Sequence, residues 1–173
     1  MARILVTGGQ GMVGSYAPRV FAGEDLLLTG SNDLDICSPR DVDYSFEAFQ
    51  PDVVLHLAAA TNVDRCQTDA DYAFRVNEHG TGNVARACAE RGCTLVYASS
   101  GAVFDGLKSE PYLESDVTAP ANVYGASKLA GEAIVRSLPS PWFIVRAGWI
   151  FGGVDRDAKF VGKIAGMMLS GQK

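Results

Sequence analysis

Short apolar runs alternate with longer segments of helical periodicity along the whole chain. Such runs, apolar almost throughout and bounded by turn residues, are typical of buried parallel strands. They predict strands at residues 2–8, 25–30, 52–59, 94–100 and 142–148. The segments between and after them predict helices at 12–22, 38–49, 69–91, 122–137 and 157–170. The alternation predicts an α/β fold with a doubly wound parallel sheet, in which ligands bind at the carboxyl ends of the strands.

Two of the predicted helices carry clear boundary signals. Ser38 is placed as the N-cap of the second helix with Pro39 at its first position, and Gly92 is placed at the end of the third. Pro18 falls inside the first predicted helix, where a proline removes a backbone donor. We therefore expect that helix to be kinked or shortened.

Composition limits the classes of protein to which the chain can belong. Its 173 residues, 47% apolar and 20% charged, are enough for one globular domain, which we place at 1–173. Fifteen Lys and Arg against 20 Asp and Glu give a net charge of −5, which argues against nucleic acid or an anionic membrane as the main partner. The apolar runs are too short to span a bilayer and the first strand leaves no room for a targeting segment, so we expect a cytoplasmic protein.

The cysteines show no metal-binding pattern. They have no Cys-x-x-Cys spacing and are accompanied by only two histidines; the residues are Cys37, Cys66, Cys88, Cys93, His56 and His79. We predict no metal site and reduced thiols that serve mainly in packing.

A glycine-rich turn, TGGQGMVG, follows the first predicted strand. Gly8, Gly11 and Gly14 stand at three-residue intervals, which permits a tight turn, close backbone approach to a pyrophosphate and close packing of helix on strand. A following helix would direct its unpaired N–H groups at the phosphates. A purely structural turn is the alternative, but the position between the first strand and the first helix favours dinucleotide binding.

The ends of the next strands bear on which dinucleotide is bound. An acidic residue after the second strand favours the ribose hydroxyls of NAD, whereas an arginine favours the 2′-phosphate of NADP. The chain has no arginine there; Asp33 is the nearest acid, and Ser31 and Asn32 could instead bond a phosphate. These residues therefore favour NAD over NADP only weakly. After the third strand, the small side chains of 58–60 would let a cofactor lie against backbone, although packing alone could also explain them.

A tyrosine and a lysine lie four residues apart in NVYGASKLAGE, at Tyr124 and Lys128. One helical turn separates them, so both side chains share a face. A neighbouring ammonium favours the phenolate, so Lys128 is expected to lower the pKa of Tyr124 toward a useful range. Ser100, at the end of the fourth strand, would orient the same substrate oxygen. Such a pair alone arises by chance in many helices; with the glycine turn and Ser100 it predicts proton transfer coupled to hydride transfer by a nicotinamide.

The chain resembles a known family, the extended short-chain dehydrogenases/reductases. The motifs TGGQGMVG, LDI, HLAAATNVD, VNEHGTGN, YASSGAVF and YGASK occur in that family's order and spacing. Within it, PDVVLHLAAATNVDRCQTD, PYLESDVTAPANVYGASKLAGE and VRAGWIFG most resemble the dTDP-4-dehydrorhamnose reductases. The resemblance covers essentially the whole chain and implies a Rossmann-like fold, NAD or NADP as cofactor and a nucleotide-sugar substrate. It is also compatible with a homodimer.

The resemblance also implies roles for individual residues. Ser100, Tyr124 and Lys128 would be catalytic, with Tyr124 as proton donor to the sugar C4 oxygen. Cofactor contacts are implied for the residues that match the family's binding motifs: Gly8, Gln10, Gly11, Met12, Val13, Gly14, Asp35, Ile36, Ala58, Ala59, Ala60, Asn77, Tyr124 and Lys128. Asn77 would support the active-site framework, and Arg146 would lie near the cofactor or substrate mouth. Glu114 matches a recurrent acid in the reductase loop.

Two departures from the family pattern keep alternatives open. The reductases usually carry Ser-Thr-Asp where this chain has Ser99-Ser100-Gly101, a run that also resembles the sugar epimerases. Family members also continue past this point with a substrate lobe, which this chain is expected to lack. The leading prediction is an NAD(P)H-dependent reductase of a nucleotide-linked 4-keto-sugar. A nucleotide-sugar epimerase and a non-catalytic NAD(P)-binding regulatory subunit are the alternatives.

Overall fold

A computed structural model describes residues 1–152 and 160–171 of the chain. Five parallel strands form one sheet in the order β2-β1-β3-β4-β5. The strands are β1 (Arg3–Thr7), β2 (Asp25–Thr29), β3 (Val53–His56), β4 (Thr94–Ser100) and β5 (Trp142–Ala147). Helices flank the sheet, which confirms the predicted doubly wound, Rossmann-like α/β fold.

The described residues form seven α-helices where the sequence predicted five. They are α1 (Ala17–Val20), α2 (Pro39–Phe49), α3 (Val63–Thr68), α4 (Ala70–Phe74), α5 (Thr81–Arg91), α6 (Val123–Arg136) and α7 (Phe160–Leu169). The N-cap of α2 is Ser38, as predicted, and its side chain accepts a hydrogen bond from the backbone of Asp41 at 3.3 Å. The α3 helix was not predicted. Its N-cap is Asn62, whose side chain accepts a hydrogen bond from the backbone nitrogen of Arg65 at 3.0 Å.

Two predicted helices are wrong in extent. The first, at 12–22, is only a 3₁₀ turn over Gly14–Tyr16 followed by the single α turn of α1, with Pro18 in that turn's first positions. The third, at 69–91, is interrupted by a π-helical segment over Arg75–Gly80 between α4 and α5. For the predicted last helix, residues 157–159 lie outside the described residues.

The main core lies on the face of the sheet covered by α2, α5 and α6. Its largest members are fully buried side chains from strands and helices together: Leu5, Phe46, Val54, Val84, Leu95 and Tyr97. The opposite face packs Ile4 and Val6 against Ala17 of α1. On the edge strand β5, the side chains of Phe143 and Val145 are 62% and 51% exposed.

The strand order reverses between β1 and β3, because β2 lies on one side of β1 and β3 on the other. This reversal is the position at which open α/β sheets form a ligand crevice at the carboxyl ends of their strands. The glycine turn follows β1 and residues 58–60 follow β3, so both border that crevice.

Candidate cofactor and catalytic site

The glycine turn packs directly on the segment that follows β3. Gly8 has a φ of +70°, and a Cβ there would lie 2.7 Å from the backbone nitrogen of Ala58. Within the turn, a Cβ on Gly14 would lie 2.5 Å from the Cα of Gly9. Side chains at these two positions would push the turn apart, so space requires both glycines, and the positive φ of Gly8 requires a glycine there as well.

The outer surface of the turn is open. Gln10, Gly11 and Val13 are exposed and Met12 is half-buried. A Cβ on Gly11 would meet only the Gly8 carbonyl oxygen, at 3.1 Å. Backbone is therefore accessible here, as close approach to a pyrophosphate requires.

The Asp33 carboxylate is exposed but already hydrogen-bonded within the chain at this edge. One oxygen of its carboxylate accepts hydrogen bonds from the Gln10 side chain at 2.7 Å and from the Gly30 backbone at 2.8 Å. The acid that the sequence analysis considered for the ribose hydroxyls thus ties the end of β2 to the glycine turn.

The helix that follows the turn contributes less than expected. A 3₁₀ turn and one α turn present few aligned peptide dipoles, and they replace the longer helix predicted at 12–22. A phosphate at this edge would meet the exposed backbone of the turn rather than the dipole of a long helix.

Two residues after β2 that were expected to contact the cofactor differ in exposure. Asp35 is exposed, and its carboxylate accepts a hydrogen bond from the Cys37 backbone at 2.9 Å. Ile36 is buried in the main core, and its side chain fills the space beside Gly80. Its carbonyl oxygen accepts a hydrogen bond from Asn83 at 2.9 Å. The Ile36 side chain therefore serves packing and is not presented to a ligand.

Asn77 fixes the loop after β3. It lies in the π-helical segment and is fully buried. Its amide accepts a hydrogen bond from the Ala60 nitrogen at 2.8 Å and donates to the Ala60 oxygen at 3.1 Å and the Ser127 hydroxyl at 2.9 Å. These bonds join the loop to α6, consistent with a framework role. Ala60 is itself buried, whereas Ala58 and Ala59 are half-buried beside the crevice.

The two hydroxyls at the end of β4 point in different directions. Ser99 is buried and donates a hydrogen bond to Glu132 of α6 at 2.6 Å. Ser100 is half-buried; its oxygen accepts from the Ala102 backbone at 3.1 Å, and its hydroxyl acts on the nearby Tyr124 phenol, whose pKa it lowers. Since strand residues alternate between faces, only Ser100 reaches the tyrosine.

The electrostatics of Tyr124 differ from the prediction. Burial raises the pKa of Tyr124, the hydrogen bond with Ser100 lowers it, and the balance lies above the ordinary value. The prediction that Lys128 lowers the pKa of Tyr124 below its ordinary value is therefore wrong. The phenol is held in its protonated form.

Lys128 is almost completely buried, with 1% of its surface exposed. Burial lowers the pKa of Lys128 to about 7, against an opposing effect of the Glu132 carboxylate. Its Nζ lies 4.1 Å from the centre of the Tyr97 ring, an arrangement that stabilises an ammonium through the ring face. The Tyr97 hydroxyl in turn donates to the Lys128 carbonyl at 3.3 Å.

His56 lies under the site and bridges two threonines. Its ring nitrogens lie 2.6 Å from the Thr7 hydroxyl and 3.2 Å from the Thr81 hydroxyl. Burial, assisted by the charge of Lys128, lowers the pKa of His56 to about 3. The imidazole is therefore neutral at physiological pH.

The two glycines of α6 permit close packing of the helix. A Cβ on Gly125 would overlap the Ala102 carbonyl, and one on Gly131 would overlap the Tyr97 hydroxyl. The glycines thus bring α6 close to β4 and to the segment after it, which places Tyr124 beside Ser100.

Arg146 lies within β5 and is bound to α6. Its guanidinium donates to both oxygens of Glu132, at 2.9 and 2.7 Å, and to the Glu114 carbonyl at 3.4 Å. Only the backbone of Glu114 takes part in this contact. Glu132 was not predicted as a site residue, although its spacing of four from Lys128 puts it on the same helix face.

The described residues 1–152 and 160–171 contain no group of three or more His, Cys, Asp or Glu side chains arranged to hold a metal ion. All four cysteines are free thiols, three of them buried. Among the described helices, none is long and apolar enough to cross a membrane.

Comparison with known proteins identifies the family. Residues 2–172 match the model of the RmlD substrate binding domain. The chain belongs to the RmlD family. Its relatives include the dTDP-4-dehydrorhamnose reductase of Burkholderia thailandensis, 40% identical over 151 residues that cover 86% of this chain and 50% of that protein.

Solved structures agree with this assignment. The dTDP-4-dehydrorhamnose reductase of Bacillus anthracis in complex with NADP matches with a TM-score of 0.88 and 33% identity, over 98% of this chain and 60% of that one. The UDP-glucose 4-epimerase of Thermus thermophilus in complex with NAD matches with a TM-score of 0.87 and 26% identity, over 98% and 63%. This RmlD-family chain spans about half the length of the curated relatives it matches.

Proposed function

We propose that the chain is the cofactor-binding and proton-transfer part of an NAD(P)H-dependent reductase of a nucleotide-linked 4-keto-sugar. The observation that carries the proposal is the convergence of Ser100, Tyr124 and buried Lys128 at the sheet edge that also bears the glycine turn. The names of the relatives favour dTDP-4-dehydrorhamnose as the substrate.

The residues present fit a nicotinamide dinucleotide. The exposed backbone from Gln10 to Val13 suits the pyrophosphate, and Gly8 seats the turn against Ala58 without side-chain bulk. Lys128 offers three donors for ribose hydroxyls. Asn77 would act on the cofactor indirectly, by holding the Ala60 loop.

The state of Tyr124 suits a reduction. When bound, the reduced nicotinamide supplies a hydride to C4 of the sugar. Ser100 would orient the C4 oxygen, and Tyr124, whose raised pKa keeps it protonated, would donate its proton to that oxygen. The ammonium of Lys128 would then stabilise the phenolate left behind.

The alternatives receive less support. The curated relatives at 33–40% identity are mostly named as reductases, whereas the epimerase structures match at lower identity. A regulatory subunit would not need the Ser100–Tyr124 contact. A homodimer stays a prediction.

Fluorescence titration with NADPH and NADH tests the cofactor part directly on this chain. We expect binding of at least one of them; failure of both would refute the cofactor site.

Tyr124→Phe tests the proton donor in a protein of the relatives' full length that contains this chain. We expect turnover of the keto-sugar to fall by about 10²–10⁴-fold, because a general acid is lost, with cofactor affinity nearly unchanged. Tyr44→Phe, at a tyrosine 73% exposed on α2, is the matched control and should behave as wild type. An active Tyr124→Phe variant would show that another group donates the proton.

A further inference from the structure

Four residues of α6 form a column along one helix face at intervals of one turn: Tyr124, Lys128, Glu132 and Arg136. The first two belong to the proposed proton-transfer site. Glu132 is the next residue of the column, and its side chain has no exposed surface. A carboxylate that is fully buried requires strong partners to remain ionised.

Glu132 has such partners on both oxygens. One oxygen accepts from Ser99 at 2.6 Å and from the Nε of Arg146 at 2.9 Å. The other accepts from Nη2 of Arg146 at 2.7 Å and from Arg136 at 3.4 Å. Burial raises the pKa of Glu132, but the bonds from Arg146 and Ser99 outweigh it and hold the pKa below its ordinary value.

These bonds fix the part of the sheet that carries Ser100. Ser99 immediately precedes Ser100 on β4, and it is paired with Arg146 on β5 in the sheet register. One carboxylate therefore joins the carboxyl ends of two strands to α6, one turn from Lys128. Any shift at Glu132 would change the position of Ser100 relative to Tyr124.

The same carboxylate supplies negative charge to the surroundings of Lys128. The other titratable groups that face the amine are neutral: His56 from β3, Tyr97 from β4 and Tyr124 from its own helix. Of these described groups, Glu132 alone is anionic at neutral pH, and it favours the charged form of Lys128.

We propose that Glu132 is a positioning residue, whose buried carboxylate locks the Ser100 end of β4 to α6 and favours the ammonium form of Lys128 on the helix face that carries Tyr124. The inference rests on the proposed function for the role of Lys128. It adds a residue that touches neither the cofactor nor the substrate.

Glu132→Gln tests the charge with little change in shape. The pKa of Lys128 is read from the NMR shift of its side chain, assigned by its absence in Lys128→Met. We expect the pKa to move below the wild-type value. Glu90→Gln, which removes a carboxylate paired with Arg86 on the exposed face of α5, is the matched control and should leave it unchanged. A Lys128 pKa that does not move in folded Glu132→Gln would overturn the proposal.

A double variant covers the case in which Glu132→Gln does not fold, because it leaves Arg146 without its partner. In Glu132→Leu with Arg146→Met both charges are removed together, which buried pairs often tolerate. A folded double variant should again show a lowered Lys128 pKa. A wild-type pKa in that variant would also overturn the proposal.

NADPH affinity as a function of pH separates this inference from the proposed function. If Lys128 binds the cofactor as an ammonium, affinity should fall as pH rises through its pKa, and Glu132→Gln should move that midpoint to lower pH. Wild-type protein that binds no cofactor would contradict the proposed function only. Wild-type binding with an unmoved midpoint in the variant would contradict the role of Glu132.

Discussion

The glycine turn at residues 8–14 is made largely of backbone, whereas the segment of α6 from Tyr124 to Glu132 carries buried ionisable side chains. In the turn, Gly8 and Gly14 lie so close to neighbouring backbone that a single Cβ would not fit. In the helix, Lys128 and Glu132 are buried; Glu132 favours the charge of Lys128, and Arg146 and Ser99 from two strands favour that of Glu132. The two regions border the same edge of the sheet.

The difference implies two kinds of sensitivity. Added volume or a changed backbone conformation in the turn should lower the stability of the fold, with little dependence on pH. In the helix, stability should fall when a charge is lost and should vary with pH, because burial magnifies the effect of an unpaired charge. Substitutions in each region can test this contrast.

Arg146→Met should have the largest effect on stability. It leaves the fully buried Glu132 carboxylate without its two shortest ionic bonds, and we expect a loss of about 3–5 kcal/mol in the free energy of unfolding. Urea denaturation at pH 7 measures the loss. Arg86→Met breaks ion pairs in which the arginine is 40% exposed, and as a control it should cost at most about 1 kcal/mol. Equal losses in the two variants would contradict the buried network.

Gly8→Ala should have the next largest effect. Its matched control is Gly92→Ala, because Gly92 has a φ of +68° against +70° for Gly8 but no atom within 4 Å of a Cβ. Both variants incur the cost of a left-handed alanine, about 1–2 kcal/mol. Gly8→Ala adds the clash with Ala58, about 1–3 kcal/mol more, and should also weaken NADPH binding. Urea denaturation and cofactor titration measure the two effects; equal stability losses would show that the turn relaxes.

The glycine turn was predictable from sequence because its determinants are local. The spacing of Gly8, Gly11 and Gly14 and the preceding apolar run lie within one short segment. The same holds for Tyr124 and Lys128, which share a helix face by spacing alone. The parallel sheet was predictable for the same reason, since each strand is marked by its own apolar run.

The charge network was not predictable, because its members are distant in the chain. Glu132 meets Arg146 across 14 residues and Ser99 across 33, and no local pattern pairs them. The pKa of Tyr124 was predicted in the wrong direction for a related reason. Burial depends on how α6 packs, and the contribution of a neighbour's charge is smaller than that of burial here.

The extent of the helix predicted at 69–91 was wrong because its backbone hydrogen bonding changes there while its apolar spacing does not. The apolar spacing across 69–91 does not distinguish an α turn from the π turn at Arg75–Gly80. That turn contains Asn77, whose amide holds the Ala60 loop. The feature that the sequence pattern conceals is therefore one that organises the candidate site.

Lys128→Met should give the smallest change in the free energy of unfolding over any one pH unit. It tests the contrast between the turn and the helix through the pH dependence of stability. The folded pKa of about 7 lies below the ordinary 10.5, so the unfolded chain binds more protons between these values. Wild-type stability should therefore rise with pH in that window, by up to about 1.4 kcal/mol per unit from this group. Lys128→Met should lack that rise, whereas Gly8→Ala should keep it. Chemical denaturation from pH 7 to 10 compares the slopes; parallel slopes in wild type and Lys128→Met would show that the amine does not titrate in this range.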